Sequence, residues 1–145
     1  NIIFNKVKTL FTPDKYKLII VPSYRTPDEI IKKAFNAFSH NSIVFKKVDK
    51  NAYLSSLSLA DVILVTCDST SMISESAITG KPIYVVNILP KKNNQRFKNF
   101  YTQFKKLGVI RDLENNVELW NYNHLDEVNR ITPIIKERMK LNGIT

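Results

Sequence analysis

Cysteine, histidine and glycine are all scarce in this chain, and each scarcity excludes something. Cys67 is alone among 145 residues, which rules out an internal disulfide and any multi-cysteine zinc site and makes a reducing compartment the default. His40 and His124 stand far apart without a Cys or carboxylate at ligand spacing. Each reads as a surface or packing residue rather than a catalytic base, and no metal site is expected. All three glycines lie at Gly80 or later, so the first half carries no glycine-rich phosphate loop. No apolar run approaches the ~20 residues needed to cross a bilayer, and the opening NIIFNKVKTL lacks a signal-peptide layout. These absences favour a cytoplasmic location and leave peripheral membrane contact open. The first residue is not Met, which suits a fragment of a longer product.

What is abundant is positive charge. The net charge is +9, mostly Lys and spread over separate pairs such as Lys32–Lys33, Lys46–Lys47 and Lys105–Lys106, with no nucleic-acid motif beside them. Together with heavy Asn and Ile use, this resembles coding bias in an AT-rich genome. The preferred reading is solubilising surface charge with a general attraction for anions, and no specific nucleic-acid partner.

The length and a hydrophobic fraction of 43% fit one soluble domain. Apolar residues at Ile3, Val7, Leu10 and Phe11 mark a helix, and KLIIVP (17–22) a buried strand. Thr26-Pro27-Asp28-Glu29 reads as a helix start, with Thr26 as N-cap, Pro27 at the first helical position and Glu29 closing a capping box. A second strand is expected over 42–48, and a short helix over 51–60 with Tyr53, Leu54 and Leu57 inward. The third strand, 61–67, is apolar throughout and so covered on both faces. A helix over 71–79 stops at Gly80 with Pro82 beyond it. A fourth strand (83–88), a helix over 96–107 ended by Gly108 and a short edge strand (109–111) follow. A last helix runs from about 125 to 141, and Pro133 should kink or split it; 123–145 is set apart as a C-terminal helical segment of the single domain 1–145. Strands alternating with helices imply an α/β fold, a parallel sheet with helices on both faces. In such folds ligands bind outside the carboxyl ends of the strands.

The most informative stretch lies at one of those ends. In TCDSTSMISESAITGKPIYVV (66–86) an apolar strand turns abruptly polar before a helix begins. A helix N-terminus attracts anions such as phosphate, and Ser69, Thr70 and Ser71 add hydroxyls around it. One cap needs one hydroxyl, yet Ser and Thr are common in loops, so the seam alone supports a cap and a ligand site equally. Glu75 is not explained by a capping box, since Met72 stands three positions before it. It either answers the helix dipole or accepts hydrogen bonds from a vicinal diol such as a ribose. Arg25, beside the other helix start, could clamp a phosphate, although a solvated Arg near a cap is the simpler reading. Cys67 reads as a small buried hydrophobe.

ADVILVTCDSTSMISESAITGKPIYV resembles the signature of the mitochondrial fission ("elongated mitochondria") family of plants and many bacteria. PSYRTPDE resembles that family's Ser-Arg-Arg-Thr-Pro segment, with Tyr24 in place of the first Arg. NAYLSSLSLAD, the helix start at Arg96-Phe97, and WNYNHLDE also fall in the family's order and spacing. Members are similar to GT-B glycosyltransferases, such as the N-acetylglucosaminyltransferase of peptidoglycan synthesis, whose two Rossmann-like domains enclose a nucleotide-sugar. The resemblance implies a Rossmann-like three-layer parallel sheet, the C-terminal domain of a GT-B-like protein. It implies Ser69 and Ser71 at phosphate and Glu75 at ribose, and carries Arg25 over as a rim residue of the family motif. The residues themselves add Thr70 and Arg25 to the expected phosphate set, with Ser23, Thr26, Asp68, Met72 and Arg96 on the rim. The expected ligand is a nucleotide-sugar such as a UDP-sugar; no cofactor and no catalytic residue are expected on this half. In GT-B domains the first strand lies in mid-sheet and ends in a Gly-Gly loop; no such loop is present, so that central strand and the N-terminal domain are expected to be missing. The chain is then a binding half, inactive without an N-terminal GT-B half in trans. The alternatives are a non-catalytic interaction or adaptor module, as the plant members imply, and a degenerate gene fragment.

Overall fold

The computed structural model describes residues 2–87 and 95–143, with the side chains of Gln95 and Arg96 excepted. Its elements follow in the order α1 (Ile2–Leu10), β1 (Ile19–Ile20), α2 (Asp28–Phe38), β2 (Ile43–Val44), α3 (Lys50–Leu59), β3 (Ile63–Thr66), α4 (Thr70–Ala77), β4 (Ile83–Val86), α5 (Gln95–Lys106), β5 (Ile110–Asp112) and α6 (Glu127–Leu141). All strand pairs are parallel, as the alternation of strands with helices requires. They form two sheets: β1 beside β2, and β3-β4-β5 in that order.

The larger sheet carries the core on both faces. Ile63 and Val65 of β3, with Ile83 and Val85 of β4, face one way and meet Leu57 of α3, Ile73 and Ala77 of α4, and Phe100 and Phe104 of α5. Val62 and Leu64, with Tyr84 and Val86, face the other way onto Val7 and Leu10 of α1, Phe11, Leu113 and Trp120. This period-two division explains why both runs read as apolar throughout: each strand is covered by helix on one side and by α1 and the C-terminal loop on the other. Three layers result, and the structure is a Rossmann-like partial sheet. Ile73 is 0% exposed, and burying such a side chain stabilises by about 2–3 kcal/mol.

Several expected boundaries shift. β1 and β2 pair over only two residues each, far less than the apolar runs over 17–22 and 42–48. Thr26 does not cap α2: its Oγ1 accepts from the Ser23 amide at 2.9 Å, folding back into its own turn. The N-cap is Pro27, which has no side-chain bond to give, and Glu29 pairs with Lys33 instead of closing a box. Leu54 is exposed on the outer side of α3. Pro133 does not split α6, which continues from Glu127 to Leu141 with the proline inside it. Ile88, at the end of the expected fourth strand, lies outside the described residues. Gly80 and Gly108 stop α4 and α5 as expected, each with φ near +70°, a conformation that costs glycine nothing.

Candidate functional site

The carboxyl ends of β1 and β3 converge. β1 runs out through Val21 and Pro22 to Ser23-Tyr24-Arg25, and β3 runs out through Thr66 and Cys67 to Asp68 and Ser69. At the meeting point Arg25 Nη2 lies 4.0 Å from Asp68 Oδ2, with side chains 60% and 51% exposed. An ion pair that open to water is worth about 0–1 kcal/mol, so Arg25 can leave Asp68 for another anion at little cost. Asp68 is held from its other oxygen by the Thr66 hydroxyl, which donates at 2.6 Å.

Ser69 caps α4. Its Oγ accepts from the Met72 amide at 3.4 Å, and the residue is only 5% exposed. One hydroxyl therefore serves the helix, as one cap requires. Thr70 is half-buried and Ser71 exposed, and neither side chain is engaged among the described residues, so two hydroxyls remain at the mouth of α4. Met72 turns inward onto the core. Ser23 and Thr26 are tied to one another through their hydroxyls at 3.2 Å and shape the turn that carries Arg25. The side chain of Arg96 lies outside the described residues.

Glu75 sits one helical turn beyond Ser71 and is exposed. Its Oε2 accepts from the Tyr53 hydroxyl of α3 at 2.7 Å, which fixes the carboxylate towards α3 and leaves Oε1 unengaged among the described residues. Burial first, then the hydrogen bond to Glu75 and its charge, pushes the Tyr53 phenol well above its ordinary range. Tyr53 stays a donor at any physiological pH. The sequence marks Tyr53 as an inward residue of its helix, but nothing in it signals a partner 22 positions away.

Tyr101 of α5 is a second residue that pattern reading misses. Its hydroxyl donates to the Cys67 carbonyl, pinning the turn between β3 and α4. Burial, followed by the nearby Cys67 and Asp68 charges, pushes its phenol up to about 12. Cys67 itself is half-buried and packs on the core. His40 and His124 are both exposed and outside this rim. Among the described residues no group of three or more His, Cys, Asp and Glu side chains is placed to hold a metal ion.

The rim side chains of Arg25, Asp68, Ser71 and Glu75 are all exposed, so this surface is open to water. Two hollows, of about 450 and 410 Å³, lie elsewhere: one between α2 and Lys46, the other beside β5 and Glu118. The seam thus offers one wall, with a helix N-terminus, two unengaged hydroxyls, a loosely held guanidinium and an oriented carboxylate. Such a set can accept an anion at one end and hydroxyl donors at the other.

Comparison with known proteins places the chain. The family model described as mitochondrial fission ELM1 matches residues 2–139. The mitochondrial fission protein ELM1 of Arabidopsis thaliana is 30% identical over 129 residues, covering 86% of this chain and 30% of its own length. The uncharacterized protein RP120 of Rickettsia prowazekii (strain Madrid E) is 32% identical over 128 residues, covering 83% of this chain and 36% of its own. The chain thus spans about a third of the length of these relatives. No solved structure matches, and no described helix is long and apolar enough to cross a membrane. The signature noted at the seam, the order of the flanking segments and a match over nearly the whole chain agree: this chain belongs to the mitochondrial fission ELM1 family.

Proposed function

We propose that the rim formed by Arg25, Asp68, the α4 N-terminus and Glu75 is one wall of a nucleotide-sugar site. The chain is then the diphosphate- and ribose-binding half of a GT-B-like cleft. The observation that carries this reading is the convergence of Arg25 from one sheet with the α4 N-terminus from the other. The amides and hydroxyls of Thr70 and Ser71 suit a diphosphate, to which Arg25 adds a bidentate clamp. Glu75, steadied by Tyr53, suits the two hydroxyls of a ribose through its unengaged oxygen. The openness of the rim fits a site whose second wall comes from an N-terminal half, and without that half the chain performs no transfer. Thermal-shift titration with UDP and UDP-sugars tests the reading: stabilisation by these ligands, abolished in Glu75→Ala, supports it. No stabilisation, with or without a second half, overturns it.

A second reading, an interaction module in the manner suggested by the name of the Arabidopsis relative, draws on α6. That helix has no buried residue, and Val128 and Leu141 are 75% and 80% exposed. Capture of a partner by the intact chain that is lost in Ile135→Asp, with no response to UDP-sugars, favours this reading over the first.

A further inference from the structure

The outer edge of β2 stands apart from the rim. β2 pairs with β1, and among the described residues no other strand pairs with it. The amides of Ile43 and Phe45 bond to the carbonyls of Leu18 and Ile20. Val44, between them, therefore directs its own N–H and C=O away from β1. Backbone groups left open on an edge strand are a template for another chain. Side chains alternate along a strand, so Ile43 lies on the face opposite Val44, and it is 58% exposed.

The hollow of about 450 Å³ lies between α2 and Lys46, two residues past β2. α2 packs against β2 through a face that buries Ala34 and Phe38. The hollow is lined by the neighbouring flank of that helix, with Ile31 and Phe35 half-buried as its apolar floor and Lys32 exposed beside them. Lys46 Nζ stands 3.8 Å from the centre of the Phe35 ring. A cation-π contact this exposed is weak, so the ammonium can move to a carboxylate. The local charge favours that exchange. Residues 28–50 carry five lysines against three carboxylates; of the three, Glu29 is paired with Lys33 and Asp49 accepts from the Ala52 amide as the cap of α3.

We propose that the β2 edge and the hollow beside it form a docking site for an extended segment of a partner protein in which apolar and acidic residues alternate. The segment adds to the sheet by bonding to the outward N–H and C=O of Val44, the mode of strand addition. Its side chains on one face reach the Ile31–Phe35 floor, and those on the other cover Ile43. Its carboxylates meet Lys32 and Lys46 at the mouth of the hollow. Charge decides between this occupant and a second copy of the chain. Two-fold pairing of β2 with itself would set Lys46 and Lys47 against their own counterparts in a chain of net charge +9, and lysines at an edge ordinarily prevent such self-pairing. An acidic segment meets the same lysines as partners. The site shares no residue with the rim and needs no ligand there.

A ¹⁵N NMR titration of the intact chain with the blocked peptide Glu-Val-Glu-Ile-Glu-Val-Glu tests it. The Val44 and Lys46 amides should shift together and saturate, with Kd on the order of 1 mM or below, and the Val44 amide should exchange at least about tenfold more slowly in the complex. Val44→Pro removes the outward N–H and leaves the bonds to β1, as proline is tolerated on the open side of an edge strand; it should weaken binding at least about tenfold. Lys46→Glu should weaken it similarly, and the peptide with Lys in place of every Glu should restore binding to that variant. A Val44 amide that does not move overturns the proposal. So does equal binding by Val44→Pro, which would mean charge attraction alone, or a failure of the reversed charges to restore binding. Protection of Val44 that rises with chain concentration in the absence of peptide also overturns it and assigns the edge to a second copy.

Discussion

Replacing Tyr53 with Phe removes one hydroxyl and leaves the ring, so it isolates the bond that orients Glu75. That bond spans α3 and α4 at 2.7 Å. Hydrogen bonds to charged groups contribute about 1.5–3 kcal/mol, but Glu75 is exposed and water competes for its oxygens, which lowers the figure to about 1 kcal/mol. Tyr53→Phe is therefore expected to lower unfolding free energy by about 1 kcal/mol, or Tm by about 2–4 °C for a chain of this size. A double-mutant cycle with Glu75→Gln, read by urea denaturation, separates the pair from everything else each residue touches. The expected coupling is about 0.5–1 kcal/mol. The direction of the Tyr53 shift supplies an independent check. Folding raises this phenol above its unfolded value of about 10, so the stability it confers is complete below that pH and is lost as pH rises through the folded value. Alkaline destabilisation beginning at about pH 10 should accordingly be weaker in Tyr53→Phe than in the parent. A coupling below about 0.3 kcal/mol, with identical alkaline profiles, would refute the claim that Tyr53 holds the carboxylate.

Other perturbations probe other parts of the account. Ile73→Ala empties the centre of the larger core, where the side chain is 0% exposed, and should cost about 2–5 kcal/mol in urea denaturation. Asp126 caps α6 by accepting from the Asn129 amide at 3.1 Å, and that bond, helped by the Asn129 side chain, holds its carboxyl below the usual range. Stability from a depressed carboxyl is present above the unfolded pKa and lost as pH falls through the folded one. Helicity by circular dichroism should therefore fall on acidification below about pH 4; Asp126→Asn, which still caps, should remove that dependence. Asp68→Asn frees Arg25 and removes a negative charge beside the α4 mouth, so it should tighten diphosphate binding in calorimetry, whereas Arg25→Ala should weaken it.

How much of this could be read in the sequence depended on whether the cause was local. The β3 and β4 runs, their coverage on two faces and the stops at Gly80 and Gly108 follow from period, composition and backbone conformation, and all are found. The capping box at Thr26 fails because Ser23, three residues back, competes for the same hydroxyl. The β1 and β2 runs promise longer strands than form, because each strand has only one paired edge and pairing is not a local property. Pro133 reads as a breaker by its missing N–H and its ring, yet α6 is exposed on most sides, where water can satisfy the carbonyl that loses its partner. The seam was legible as a strand end meeting a helix start. The meeting of Arg25 with Asp68, 43 positions apart, was not, nor was the bond between Tyr53 and Glu75, because such contacts arise only when separate elements pack.

The most direct test of the proposal that this rim binds a nucleotide-sugar is a ¹⁵N NMR titration of the intact chain with UDP. A half-site should bind weakly, with Kd on the order of 1 mM, and the amides of Thr70, Ser71, Met72 and Arg25 should shift together and saturate. Unchanged amides at that rim up to tens of millimolar, or shifts confined to α6 and the basic surface, would contradict the account.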